Sequence, residues 1–269
     1  MAMNKLPYKM LGGVVPCPGG WLIVPARLAG VTVVAEDPMV VPQLIDVLEF
    51  KPKFEAAAIY VPIGFSDEPE GPYRPCDDEA RENVGWPRRV AIRPTPSRAA
   101  LNAPTREAAL AIEPWLTRDD FRRFKWIREA EREFQPFHQR SFFAAHPDLT
   151  FSQMNNDQPL TTSPYHDDGV LERLALLRDK LPGVDEIVTR SAPPAGAAII
   201  HMLQAAGLNQ FGKSRYFEIA QCFQPDEVHP EIREKLALLK FAFGVGPNPN
   251  APAAEPVVVC RTSSTVQRD

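Results

Sequence analysis

Between Arg81 and Arg98 the chain places Arg81, Arg88, Arg89, Arg93 and Arg98 around one acid, Glu82, and one indole, Trp86. Guanidinium groups beside an aromatic face are suited to tracking a phosphate backbone and stacking a base. The same arginines can instead pair with Asp77, Asp78 and Glu79 and hold the segment together. This scaffold reading carries more weight, because the acids lie in the same stretch and the formal net charge of the chain is −4. A second basic run, Arg118 to Arg140, is nearly balanced by Asp119, Asp120, Glu129, Glu131 and Glu133, and reads as a solvated helix with internal pairs. No two of His146, His166, His201 and His229 have the spacing of a zinc motif. His201 falls in an apolar helical stretch as a core histidine, and His229-Pro230-Glu231 reads as a helix start. Cys17, Cys76, Cys222 and Cys260 are scattered singly without a CxxC pair and read as reduced thiols. There is no GxSxG and no Cys beside His, so nucleophilic-triad chemistry has no support.

The elements that must position these residues are short, because 29 of the 269 residues are proline. With 44% hydrophobic and 24% charged residues the chain can bury a core. Met10–Val15, Trp21–Val24 and Gly30–Ala35 read as an antiparallel meander turning at Cys17-Pro18-Gly19-Gly20. Apolar residues at three- and four-residue steps predict a helix over Pro38–Phe50, a crossover to a buried parallel strand at Ala56–Val61. A proline-rich segment, 65–139, reads as a helical insertion with helices at Asp77–Val84, Ser97–Leu101, Arg106–Ile112 and Arg118–Phe134. Ser141–Ala145 is a further strand, and Asp168–Lys180, Ala195–Ala206 and Pro230–Phe243 are closing helices. Residues 1–243 thus form one expected domain. Residues 244–269 have linker composition, with Val257–Cys260 able to add an edge strand. No apolar run of about 18 residues and no signal-peptide pattern occurs, which gives a cytoplasmic location and no membrane partner as the expectation.

Four segments in this order, Gly13–Trp21 (GVVPCPGGW), Ile59–Phe65 (IYVPIGF), Arg74–Arg81 (RPCDDEAR) continuing through Pro94–Ala103, and His146–Phe151 (HPDLTF) followed by the helix around Gly169–Arg173, resemble a predicted RNase-H-like nuclease family. The resemblance implies an α/β fold of the RNase H type. This is a mixed five-stranded sheet, three antiparallel strands then parallel ones, flanked by helices. It also implies phosphodiester hydrolysis by two divalent metals, Mg²⁺ or Mn²⁺, held between carboxylates.

The positions where the family carries acids are occupied here by Val15, Tyr60 and Ala144, and the late helix Ala195–Ala206 contains none. Asp148 alone preserves a carboxylate, with His146 beside it at the end of a strand; these two are the candidate catalytic residues that the resemblance leaves. Val15, Tyr60, Ala144 and Asp148 are expected to converge on one side of the sheet. Three neutral replacements leave too little charge to hold two divalent cations, so no metal or other cofactor is expected. The expected function is non-catalytic binding or assembly, with a protein or nucleic acid as partner. Arg74, Asp77, Arg81, Trp86, Arg88, Arg89, Arg93 and Arg98 are the binding candidates. The alternative is an active metal-dependent nuclease in which Glu36-Asp37, Asp77-Asp78 or Asp167-Asp168 supply relocated ligands.

Overall fold

A computed structural model of the chain describes residues 8–29, 32–189 and 193–210. Strands β1 (Lys9–Cys17) and β2 (Gly20–Ala29) form a hairpin, with Cys17 opposite Gly20 and Lys9 opposite Leu28. The other edge of β2 pairs antiparallel with β3 (Thr32–Ala35) and, nearer the hairpin turn, with β4 (Met39–Val41). On the far side of β1 lie β5 (Phe54–Ile59) and then β6 (Phe142–Ala144), both parallel to it. The order is therefore β3-β2-β1-β5-β6, with β4 as a sixth strand on β2. The fold is mixed α/β and consistent with an RNase H-like arrangement.

The sixth strand corrects the sequence expectation, which gave residues 39–41 to a helix. Pro42 explains the difference. The residue before a proline is driven to extended backbone, so Val41 cannot continue a helix, and Met39–Val41 pair with Trp21–Ile23 instead. The helix is reduced to α1 (Leu44–Leu48), which still makes the crossover from β4 to β5.

Alternation along the strands divides the core into two faces. Met10 and Val14 of β1 join Trp21, Ile23, Ala57 and Ile59 on one face. This face is covered by α1 together with α3 (Arg98–Leu101), α4 (Arg106–Ile112) and α5 (Arg118–Glu133). The proline-rich segment thus supplies much of the core on this face, through Leu101, Ala109, Phe124 and Ile127. Trp21 is fully buried on this face, and its indole N–H donates to Glu129 of α5 at 2.9 Å. The second carboxylate oxygen of Glu129 accepts from the backbone N–H of Leu44 at 2.6 Å, which fixes the start of α1.

The opposite face carries Leu11, Val15, Leu22, Val24 and Ala58. It is covered by α6 (Pro147–Met154), α7 (Asp167–Arg178), α8 (Val184–Thr189) and α9 (Ile199–Leu208). Neither α6 nor α8 was anticipated from the sequence. Helix α9 lies so close on β1 that a Cβ at Gly13 would stand 1.8 Å from the carbonyl oxygen of Ala205, so only glycine fits there. Helix α2 (Pro75–Val84) packs against α6 through Ala80, Val84 and Leu149, with Ile92 completing the cluster. The expected helix Pro230–Phe243, the tail 244–269 and the strand Val257–Cys260 lie outside the described residues. Among the described residues, no helix is long and apolar enough to cross a membrane.

Candidate functional site

The parallel strands β1, β5 and β6 end together, and open α/β sheets bind ligands beyond such carboxyl ends. The backbone N–H of Tyr60 donates to Val14 at 2.8 Å and that of Ala145 donates to Ile59 at 2.9 Å, so the three strand ends are held side by side. Val15 is wholly buried on the face covered by α6 to α9, and Tyr60 packs against the same cluster. Ala144 stands opposite Ile59 in the β5–β6 register. Directly paired residues share a face, so Ala144 lies with Ile59 on the other side of the sheet, and Ala145 joins the cluster of Val15 and Tyr60. This departs from the expectation that all of these positions converge on one side.

Beyond β6 the chain enters α6 through His146, whose side chain caps the helix. Its Nδ1 accepts from the backbone N–H of Asp148 at 3.2 Å, and its Nε2 lies 3.2 Å from the carbonyl oxygen of Ala91. An accepting Nδ1 leaves the ring proton on Nε2, so the imidazole is neutral and both nitrogens face the backbone. Burial pushes its pKa down to about 4, which keeps it neutral at physiological pH. Tyr60 packs edge-on against this ring at 4.8 Å between centroids, and burial pushes the Tyr60 phenol up, so it remains an O–H donor.

The carboxylate of Asp148 lies between two guanidinium groups. Its Oδ2 accepts from Nη2 of Arg88 at 2.8 Å, and its Oδ1 from Nη2 of Arg173 at 2.9 Å. Burial works against this charge, but His146, Arg88 and Arg173 outweigh it and hold the carboxyl below its usual range. Arg173 is itself 0% exposed; its Nη1 donates to Gly169 at 3.1 Å, and its Cζ stands over the Phe151 ring at 5.5 Å. Glu172, which accepts from the Thr162 hydroxyl, approaches Arg173 at 3.8 Å. The sequence places Arg173 in the family-like segment Gly169–Arg173 without assigning it a role; the structure buries it in α7 together with Gly169 and Leu177, at i−4 and i+4.

This donor set does not suit a divalent metal. A cation ~2.1 Å from either oxygen of Asp148 would stand within ~5 Å of a guanidinium nitrogen. Among the described residues, no group of three or more His, Cys, Asp or Glu side chains is placed to hold a metal ion. The acid pairs considered as relocated ligands lie elsewhere: Glu36 pairs with Arg27 at 2.6 Å, and Asp77 with Arg74 at 2.8 Å. Asp167 and Asp168 are exposed in the first turn of α7.

The arginine-rich segment separates into partly buried fasteners and one exposed patch. Arg74 grips Asp77 with two hydrogen bonds and donates through Nη1 to the carbonyl of Gly64 at 2.7 Å, tying α2 to the loop after β5. Arg81 donates to the carbonyls of Arg89 and Ile92 and stacks on Tyr73 at 3.9 Å. Arg93 binds Asp120 through two hydrogen bonds, of 2.9 and 3.2 Å. Burial opposes the charge of Asp120, yet Arg93 and Thr117 outweigh it and lower its pKa. Arg98 pairs with Asp67 and Glu131. The partners of Arg88, Arg93 and Arg98 therefore lie downstream or in other elements, where the sequence had suggested Asp77, Asp78 and Glu79. Gly85 ends α2 with φ of +68° and turns the chain outward, leaving Trp86 73% exposed and Arg89 exposed beside it.

No curated protein and no solved structure matches the chain. A family described as "Protein of unknown function (DUF429)" matches residues 13–226, well over half of the 269 residues. The chain, with its buried Arg88–Asp148–Arg173 bridge at the strand ends, is a member of the DUF429 family.

Proposed function

We propose that this protein acts by binding at the ends of β1, β5 and β6 and does not hydrolyse phosphodiesters there, as an RNase-H-like protein whose metal-holding acids have been replaced. The observation that carries this reading is the Asp148 carboxylate, engaged on both oxygens by Arg88 and Arg173. A nuclease of the implied type needs several carboxylates facing a pair of cations, because hard divalent metals take anionic oxygen ligands. Here Val15 is packed in the apolar core, Tyr60 presents a neutral phenol, and the one remaining carboxylate is neutralised. The imidazole of His146 holds α6 and the turn at Ala91 in place and has no lone pair left to act as a base. His146 and Asp148 are positioning residues in this account, and a fold alone does not confer the family's chemistry.

The test is incubation of the full chain with single-stranded and duplex DNA and RNA in millimolar Mg²⁺ or Mn²⁺. The expected result is no cleavage above the no-protein control. Metal-dependent cleavage that is lost in Asp148→Asn while the variant remains folded would overturn the reading.

A further inference from the structure

Several arginines of α5 have partners: Arg122 bonds Asp119 at 2.9 Å, Arg128 donates to the carbonyls of Leu101 and Ala103, and Arg132 bonds Glu133 at 2.7 Å. Arg123 differs. It is partly buried, it makes no hydrogen bond or ion pair among the described residues, and its guanidinium stands 5.8 Å from the centre of the Tyr60 ring. That ring in turn packs on His146, and the charges of Arg123, Arg88 and Asp148 all act on both Tyr60 and His146. Arg123 therefore adds its charge beside the Tyr60–His146 pair at the strand ends.

Arg88 and Arg173 meet Asp148 there, Glu172 approaches Arg173 at 3.8 Å, and Arg123 stands over the neighbouring Tyr60 ring, so three guanidinium groups outnumber two carboxylates around the strand ends. Arg88 commits only Nη2 to Asp148, and its Nε is buried without a partner. The Tyr60 hydroxyl has no hydrogen bond among the described residues. A partly desolvated surplus of positive charge with undirected donors is the chemistry of an oxyanion site. Its multiple cations favour a phosphate dianion over a singly charged carboxylate.

We infer that Arg123, the Tyr60 hydroxyl and Arg88 form a metal-independent binding site for a phosphate group at the carboxyl ends of β1 and β5. The inference rests on the binding function proposed above and names the chemical class of its ligand. Arg123 supplies the planar donor pair, Tyr60 supplies a neutral O–H, and the Arg88–Asp148–Arg173 bridge fixes the floor of the site.

The experiment is thermal unfolding of the full chain with added sodium phosphate, at constant ionic strength and with EDTA present. Wild type is expected to show a saturable rise in Tm with phosphate and none with acetate. Arg123→Gln is expected to bind phosphate at least tenfold more weakly, because a charge-assisted pair is removed from a partly buried site. Its Tm without phosphate should stay near wild type, since Arg123 loses only a distant contact with the Tyr60 ring and no hydrogen bond or ion pair among the described residues. Arg122→Gln, one residue away and paired with Asp119, should keep the full response. Tyr60→Phe should weaken it. If Arg123→Gln proves poorly folded, Arg123→Lys keeps the charge without the planar fork and should bind more weakly than wild type. A nucleoside 5′-monophosphate acting at lower concentration than inorganic phosphate, with the bare nucleoside silent, would assign the group to a phosphate ester; equal potency would assign it to free phosphate. No saturable rise in wild type, an equal rise with acetate, or a response unchanged in Arg123→Gln overturns the inference. Metal-dependent cleavage of nucleic acid is a separate outcome that overturns the functional reading instead.

Discussion

Asp148 and Arg173 meet at 2.9 Å in the interior of the protein, one at the start of α6 and the other within α7. Neither is solvated: Asp148 is 5% exposed and Arg173 0%. Removing one partner of a buried pair leaves the other charge without compensation, and such losses typically cost about 3–5 kcal/mol. Arg173→Met is expected to fall near the lower end, about 3 kcal/mol, because Arg88 remains on Asp148. Urea unfolding of the variant checks this, and a loss under about 1 kcal/mol would show that the pair does not hold α6 to α7.

The pH dependence separates His146 from Asp148. The folded state holds His146 neutral down to about pH 4, while the unfolded chain takes up a proton near its ordinary value of ~6.5. Between these values the unfolded state binds more protons, so stability is full above pH 6.5 and declines as pH falls towards 4. With a discount for its partial exposure, His146 should account for about 2 kcal/mol of that decline. The depressed carboxyl of Asp148 acts lower, with its contribution present above ~3.9 and lost as pH falls through its folded value. His146→Asn, which keeps a capping acceptor, should flatten the stability curve between pH 6.5 and 4.5. Parallel curves for variant and wild type would contradict the assignment.

The arginine cluster should respond residue by residue. Arg93→Gln breaks two hydrogen bonds to Asp120, which is 2% exposed, and should cost about 2 kcal/mol. Arg89→Gln lies on the surface and should change stability by less than about 0.5 kcal/mol. Chemical unfolding of the two single variants distinguishes these roles; similar losses in both would mean that the segment is held as one unit.

Helix α9 reaches β1 only because residue 13 lacks a side chain. Gly13→Ala would place a methyl 1.8 Å from the Ala205 carbonyl oxygen, a backbone atom that cannot rotate away. Overpacking of this kind usually costs about 1–3 kcal/mol, and with backbone on both sides the expected cost is about 3 kcal/mol or more. A thermal melt that matches wild type would show that α9 does not pack at this distance.

Much of this architecture was legible before the structure, for physical reasons that differ by element. The β1–β2 hairpin announces itself through β-branched runs on either side of Pro18-Gly19-Gly20, and β5 through an apolar run that must be buried on both faces. Strand β4 was missed because Met39, Val40 and Val41 fit a helical period that only Pro42 forbids. Helix α6 was missed because His146-Pro147 reads as the stop of a strand, whereas Pro147 at the first helical position with Asp148 in the first turn is equally a helix start. The chemistry of the strand ends was the least legible. That positions 15 and 60 carry no acid is visible in the sequence, but the pairing of Asp148 with Arg88 and Arg173 depends on contacts spanning 60 and 25 residues. Arg123 was hidden in a helix whose charges nearly cancel on paper.

The central claim is that the carboxylate at the strand ends is neutralised by arginine and does not hold a divalent metal. Thermal unfolding of the wild-type chain, titrated with MnCl₂ from micromolar to millimolar at constant ionic strength, tests it most directly. Any ligand bound only by the native state raises stability by RT ln(1 + [L]/Kd), which gives about 2.7 kcal/mol at a hundredfold excess over Kd. The account predicts no saturable rise in Tm. A saturable rise of several degrees that EDTA reverses and Asp148→Asn abolishes would contradict it.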